Sequence, residues 1–319
     1  MATTTQLRIA PAARASALGA VCLDGSPPAY WYQPPRPQAA TDNASWLIHL
    51  DGGAWCYDER DCAGRARGDK GSSAPLKRRY WPYSGLMDGS AAVNPTFAGF
   101  HRVNLAYCDG GSFTGDRAEP VVLPSGEKLY FRGRRVLRLL IDELLAAGLR
   151  HARRLLWVGG SAGGPGALHA ATQVRQRVGP QLEAFKVVMV SGWFLLRPPA
   201  TPGLAAPGSM SSASASAAAS PSSFTSASSS SSSSSALATS SSLATAAEAT
   251  SCAAAQLRPK ERAACLPWAE KMRSMVALHN STGAASPACL KAFPPAEQWR
   301  CFFPRHAAAR LVKRAACSA

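Results

Sequence analysis

Residues 157–164 read Trp-Val-Gly-Gly-Ser-Ala-Gly-Gly, one serine set among four glycines. A serine hydroxyl is a weak nucleophile until a base takes its proton. Gly159-Gly160-Ser161-Ala162-Gly163 fits G-x-S-x-G, the nucleophile elbow, in which a strained strand-to-helix turn lifts the hydroxyl clear of the sheet. A plain Gly/Ser turn between a strand and a helix fits the same letters, and so short a motif recurs by chance. The surrounding elements must therefore support the chemistry.

Acyl transfer also needs donors for the oxyanion of the tetrahedral intermediate, and losing one costs roughly 3 kcal/mol. One donor is the amide after the nucleophile, here Ala162; the others come from a glycine-rich loop after an early strand. The run Trp46-Leu47-Ile48-His49-Leu50 leads into Asp51-Gly52-Gly53-Ala54-Trp55-Cys56, where Gly53 and Ala54 are small enough to let the backbone approach a carbonyl. Two glycine-rich strand ends in this order weigh against an ordinary turn.

Both loops need a sheet to present them. Four short apolar runs read as strands: 46–50, 102–107, 155–158 and 186–190. Between the second and third, Leu137, Leu140, Ile141, Leu144 and Leu145 recur at helical spacing, predicting a helix over Arg134 to Leu149 with Gly148 near its stop. Gly166 to Val178 suits a helix after the elbow, and Trp268, Met272, Met275 and Leu278 suggest another. Buried strands alternating with helices predict an α/β fold, a mostly parallel sheet with helices on both faces.

Composition limits the partners. The chain has 319 residues and a formal net charge of +16, from 35 basic and 19 acidic residues. Such a surface attracts anions, an acidic polysaccharide among them, but the basic residues are scattered (Arg65, Arg67, then Arg132, Arg134, Arg135) and no nucleic-acid motif stands out. No run of about 18 uncharged apolar residues is long enough to span a membrane. Residues 1–20 lack a signal-peptide core and read as an N-terminal tail. Nine cysteines without a C-x-x-C pair favour disulfides and an extracellular setting over metal chemistry, and no metal or cofactor site is expected. The sequons at Asn43 and Asn280 agree weakly with secretion. Residues 201–250 hold 20 serines and 14 alanines, so a disordered insertion is expected over 200–255 within a single domain, 21–319.

Five stretches carry a family resemblance: VCLDGSPPAYW, HLDGGAWCYDERDC, FHRVNLAYCDGGSFTGD, WVGGSAGGPGALHA and ACLKAFPPAEQWRCFFP. Together they resemble the pectin acetylesterase family, which includes the plant enzymes and the animal Notum carboxylesterases. The resemblance implies an α/β-hydrolase-like fold, with Ser161 as nucleophile and Gly53, Ala54 and Ala162 as oxyanion donors. It implies that Trp55 lines the mouth of the site, and that Cys22 pairs with Cys108 and Cys56 with Cys62. Cys252, Cys265, Cys289 and Cys301 are expected in further bridges of open pairing, leaving Cys317 over.

The triad is where the chain departs. Its partners follow the serine in the order acid, then histidine, yet no aspartate follows Ser161. The resemblance implies that acid and histidine lie beyond the Cys-Phe-Phe-Pro segment, so both are expected to be absent from this chain, a domain cut short at its C-terminal side. Glu270 with His279, or Glu297 with His306, keep the chain order and are candidate substitutes; His169 is expected to pack on its helix. Val190-Ser191-Gly192-Trp193-Phe194 also differs from the Ser-Asp-Ala-Gly-Phe-Phe typical of plant members. The expected function is that of a secreted, monomeric serine carboxylesterase acting on acetylated pectin. The alternatives are a catalytically inactive carbohydrate-binding remnant and an incomplete gene model.

Overall fold

The two apolar runs that precede the glycine-rich loops become neighbours in one sheet. The computed structural model describes residues 5–35, 44–78, 85–195 and 267–311. Its strands are β1 (Gln6–Ile9), β2 (Ala29–Gln33), β3 (Ser45–Leu50), β4 (His101–Leu105), β5 (Val121–Val122), β6 (Lys128–Leu129), β7 (Arg154–Gly160) and β8 (Ala184–Val190). Six form a sheet in the order β1-β2-β4-β3-β7-β8, and β5 and β6 form a separate ribbon. The pairs β4–β3, β3–β7 and β7–β8 are parallel, whereas β1–β2 and β2–β4 are antiparallel.

The α-helices are α1 (Ala12–Ala17), α2 (Glu59–Ala66), α3 (Gly133–Ala146), α4 (Gly163–Val178), α5 (Trp268–His279), α6 (Pro287–Leu290) and α7 (Pro304–Leu311). Trp46, Ile48 and Leu50 of β3 and Leu155 and Trp157 of β7 share a core with Val136, Leu140 and Leu144 of α3 and Ala167, Val174 and Val178 of α4. This is the face expected from the leucine spacing. The alternate residues Leu47 and Val158 meet Met87, Phe97 and Phe100 on the opposite face. Helix α3 stops at Ala146, short of the expected Leu149. Gly148 turns left-handed at φ 117°, and Leu149–His151 form a separate 3-10 turn.

From Gln6 on, the stretch expected as an N-terminal tail, 1–20, packs into the fold. Gln6–Ile9 pair with Ala29–Gln33 as the edge of the sheet, and Ala15 and Ala20 are buried against Leu139. Short and partly polar, this strand carries little periodicity of its own and is fixed by β2. The expected helix after the elbow likewise begins earlier, at Gly163.

Three disulfides lie within the described residues: Cys22–Cys108, Cys56–Cys62 and Cys289–Cys301. The first two are the expected pairs, and the third resolves one of the open pairings. Cys252, Cys265, Cys317 and the expected insertion 200–255 lie outside the described residues. The chain divides into two units, Met1–Leu196 with Trp268–Ala319, and Arg197–Pro267; every element above belongs to the first. No described helix is long and apolar enough to cross a membrane.

Candidate active site

The parallel register determines where the chemistry sits. Ile48 pairs with Trp157, His49 with Val158 and Leu50 with Gly159, so the chain leaves β3 and β7 at the same end of the sheet. That C-terminal end is where open α/β sheets hold their ligands. Beyond β7, Ser161 takes φ 48°, a left-handed conformation unusual for any residue but glycine. Its amide donates to Val190 O at 2.8 Å, its carbonyl accepts from Gly164 at 2.9 Å, and the residue is exposed. This strained bend stands between β7 and α4, at the serine of the G-x-S-x-G motif.

The glycines permit the close approach. A Cβ on Gly159 would lie 2.4 Å from Gly163 O, and one on Gly163 would lie 2.3 Å from Leu50 O. The elbow therefore presses directly on the end of β3. A Cβ on Gly52 would stand 2.4 Å from Gly160 O, 2.9 Å from Ser161 Cβ and 3.0 Å from Ala162 N. The loop after β3 and the Ser161 turn are thus in close contact. The amides of Gly53, Ala54 and Ala162 donate to no partner among the described residues. Ala54 is itself left-handed at φ 55°.

The loop after β4 ties these segments together. Ser112 N–H donates to Tyr107 OH at 3.0 Å, and Tyr107 OH donates to Ala54 O at 2.8 Å. Trp55 Nε1–H donates to Ser112 Oγ at 2.7 Å, and Ser112 Oγ–H donates to Ala162 O. One serine thereby links the loop after β3 to the residue that precedes α4. Trp55, expected at the mouth, is only 4% exposed, because Phe194 and Trp268 pack on its ring with centroids at 4.8 and 5.3 Å. The segment 190–194 lies beside the Ser161 turn, with Ser191 left-handed at φ 52° and Gly192 close against Gly164.

Asp109 supports this loop from inside. It is fully buried, and its Oδ2 accepts from Phe113 N–H at 2.8 Å. Burial raises its carboxyl from 3.8 to about 7, against the opposing pull of the amides of Phe113, Asp109 and Gly111 and the charge of Arg65. The native state then holds a proton that the unfolded chain releases near 3.8, so the carboxyl lowers stability as pH climbs from about 4 to about 7. Asp109→Asn should therefore gain stability relative to wild type across that interval, with the difference level above it. Urea midpoints of the two proteins at pH 4 to 8 measure this, and parallel curves would contradict the buried-carboxyl assignment.

No described group reaches the Ser161 hydroxyl as a base. The chain has six histidines, and none hydrogen-bonds Ser161. His169 Nε2 donates to Phe302 O at 3.0 Å, and burial depresses its basicity. His279 is fully buried, with Nε2 3.2 Å from Cys56 O, and burial lowers it to about 3, so it is neutral. Glu297 pairs with Arg300 at 3.2 Å, and His306 lies edge-on to Phe293. Neither substitute pair therefore forms. Cys56, Cys62 and His279 lie within 4.8 Å of one another, but the two sulfurs are bonded to each other, making this a histidine packed on a disulfide.

Known proteins share both the sequence and the architecture. "Pectin acetylesterase 11" of Arabidopsis thaliana is 39% identical over 181 residues, 57% of this chain and 44% of that protein. "Palmitoleoyl-protein carboxylesterase NOTUM" of Drosophila melanogaster is 30% identical over 194 residues, 58% of this chain and 28% of that protein. The chain thus spans less than half the length of these relatives. A solved structure of the Drosophila Wnt deacylase Notum superposes with a TM-score of 0.60 at 22% identity, covering 97% of this chain and 68% of that one, a likeness of fold. The family model described as Pectinacetylesterase matches residues 2–236, and the chain belongs to the pectinacetylesterase family.

Proposed function

We propose that the chain works as a secreted serine carboxylesterase of the pectin acetylesterase type, removing acetyl groups from acetylated pectin. The observation that carries this reading is the contact between the Gly52 backbone and the left-handed Ser161 turn, which puts a hydroxyl and unoccupied amides at one sheet end. In the proposed reaction Ser161 Oγ bonds to the acetyl carbon and gives its proton to a base. The carbonyl oxygen becomes an oxyanion facing the Gly53, Ala54 and Ala162 N–H groups. The sugar oxygen leaves with a proton, and water releases acetate from the acyl-serine. The net charge of +16 favours an acidic polysaccharide as substrate.

The acid and histidine of the triad are proposed to come from outside residues 1–319, since no aspartate follows Ser161 and the six histidines lie elsewhere or are engaged. The same observation favours a second reading, a carbohydrate-binding protein without turnover. A test is acetate release from acetylated pectin by the chain joined to the acid- and histidine-bearing segment of a plant relative. Release that depends on Ser161 is expected. No release, or release undiminished by Ser161→Ala, would reject the esterase. Retention of residues 1–319 on immobilised pectin together with no release would favour the second reading.

A further inference from the structure

Beneath the oxyanion loop lies a cation that the reaction itself does not call for. Arg65 stands in the last turn of α2, the helix closed at its start by the Cys56–Cys62 disulfide and capped by Asp58, whose side chain accepts from Asp61 N–H at 2.8 Å. Its guanidinium forks: Nη1–H donates to Gly53 O at 2.7 Å, and Nη2–H donates to Trp55 O at 3.2 Å. The stem is half-buried, with Cδ 3.0 Å from where a Cβ on Gly110 would stand. Arg65 thus holds two carbonyls of a loop whose other carbonyl, Ala54 O, is held by Tyr107.

The peptide between Gly53 and Ala54 is trans and planar, so its C=O and N–H point in opposite directions. A guanidinium on Gly53 O therefore turns Ala54 N–H away from α2. A charged donor on the carbonyl also polarises the same peptide and makes its N–H a stronger donor. The left-handed φ of 55° at Ala54 is a conformation a non-glycine residue keeps only when its surroundings hold it there. We propose that Arg65 is a positioning residue that clamps the Gly53–Ala54 peptide, aiming and strengthening Ala54 N–H as an oxyanion donor. The catalytic part of this inference rests on the esterase reading; the clamp itself does not.

The sequence offers a clean probe. It contains four Gly–Ala peptide bonds, at 19–20, 53–54, 166–167 and 283–284. Protein made with carbonyl-13C glycine and 15N alanine therefore shows four one-bond-coupled amides, one of them Ala54. In Arg65→Met the Ala54 amide proton should move upfield while the other three stay in place. Arg65→Lys keeps one charged donor within reach of Gly53 O, and should leave Ala54 near its wild-type position. In the chain joined to the acid- and histidine-bearing segment of a plant relative, turnover of p-nitrophenyl acetate should fall about a hundredfold in kcat for Arg65→Met, with KM within twofold. An Ala54 resonance unmoved in Arg65→Met overturns the clamp, whatever happens to turnover. If Arg65→Met does not fold, Arg65→Gln takes its place: loss of the charged fork on Gly53 O should again move the Ala54 amide proton upfield, and an unmoved Ala54 resonance overturns the clamp. A shifted Ala54 resonance where the chain joined to the acid- and histidine-bearing segment shows no turnover supports the clamp and counts against the esterase.

Discussion

Ser161→Ala is expected to lower acetyl-ester turnover on the order of a millionfold in the chain joined to the acid- and histidine-bearing segment of a plant relative. In residues 1–319 alone the same substitution is expected to change turnover less than tenfold. The contrast follows from how a triad works. Serine, histidine and acid act as a unit, so losing the serine costs about as much as losing all three. What survives comes from the oxyanion donors and binding, roughly 10³–10⁴ over water. In this chain the Ser161 turn is strained at φ 48° and the amides of Gly53, Ala54 and Ala162 have no partner among the described residues, but no histidine hydrogen-bonds the hydroxyl. Without a base the serine adds little to a water attacking in the same site. Initial rates with an acetyl ester for the two chains, each with and without Ser161, check both halves. A millionfold fall in residues 1–319 alone would mean that a base does reach Ser161. A fall below tenfold in the joined chain would remove Ser161 from the nucleophile's role.

The parts of the site that proved legible in the sequence are those set by local backbone needs. Glycines at 52, 53, 159, 160, 163 and 164 punctuate apolar runs, and each of them takes a close backbone or side-chain approach that a Cβ would obstruct. Strands β3 and β7 were legible because central parallel strands are largely apolar runs, whereas β8, equally apolar in its letters, forms the sheet edge and is only partly buried. Strand β2 was not. Its five residues are all buried, but prolines at 27, 28, 34 and 35 flank it and suggest a loop. Ser112 and Asp109 belong to a stretch recognisable by resemblance, yet their work depends on approaches from residues far off in the chain, 57 apart for Trp55 and Ser112. Arg65 read as one of many surface arginines. Only the folded loop shows that its fork meets two carbonyls of the segment 53–55.

Removing the Cys22–Cys108 bridge should be the most destabilising change among the described disulfides. The two cysteines are 86 residues apart, against 6 for Cys56 and Cys62. A bridge acts chiefly by restricting the unfolded chain, and the restriction grows with the loop it closes. Loops of these lengths correspond to about 4–5 and about 2 kcal/mol. For Cys22→Ala/Cys108→Ala this means a melting midpoint lower by roughly 10–15 °C, and for Cys56→Ala/Cys62→Ala by roughly half that. The folded site should be disturbed less than the midpoint suggests. Leu23 N–H donates to Cys108 O and Tyr130 N–H to Leu23 O, both at 2.9 Å, so the strand end that feeds Asp109 and Ser112 keeps its backbone partners when the sulfurs are gone. Below its midpoint the Cys22/Cys108 variant should therefore show the wild-type Ala54 amide resonance. The Cys56/Cys62 variant should not, because Cys56 lies two residues from Ala54 and its bridge anchors the first turn of α2, the helix that carries Arg65. Equal losses of midpoint for the two variants would show that the bridges act through native contacts, and a shifted Ala54 resonance in the Cys22/Cys108 variant would make that bridge part of the framework of the site.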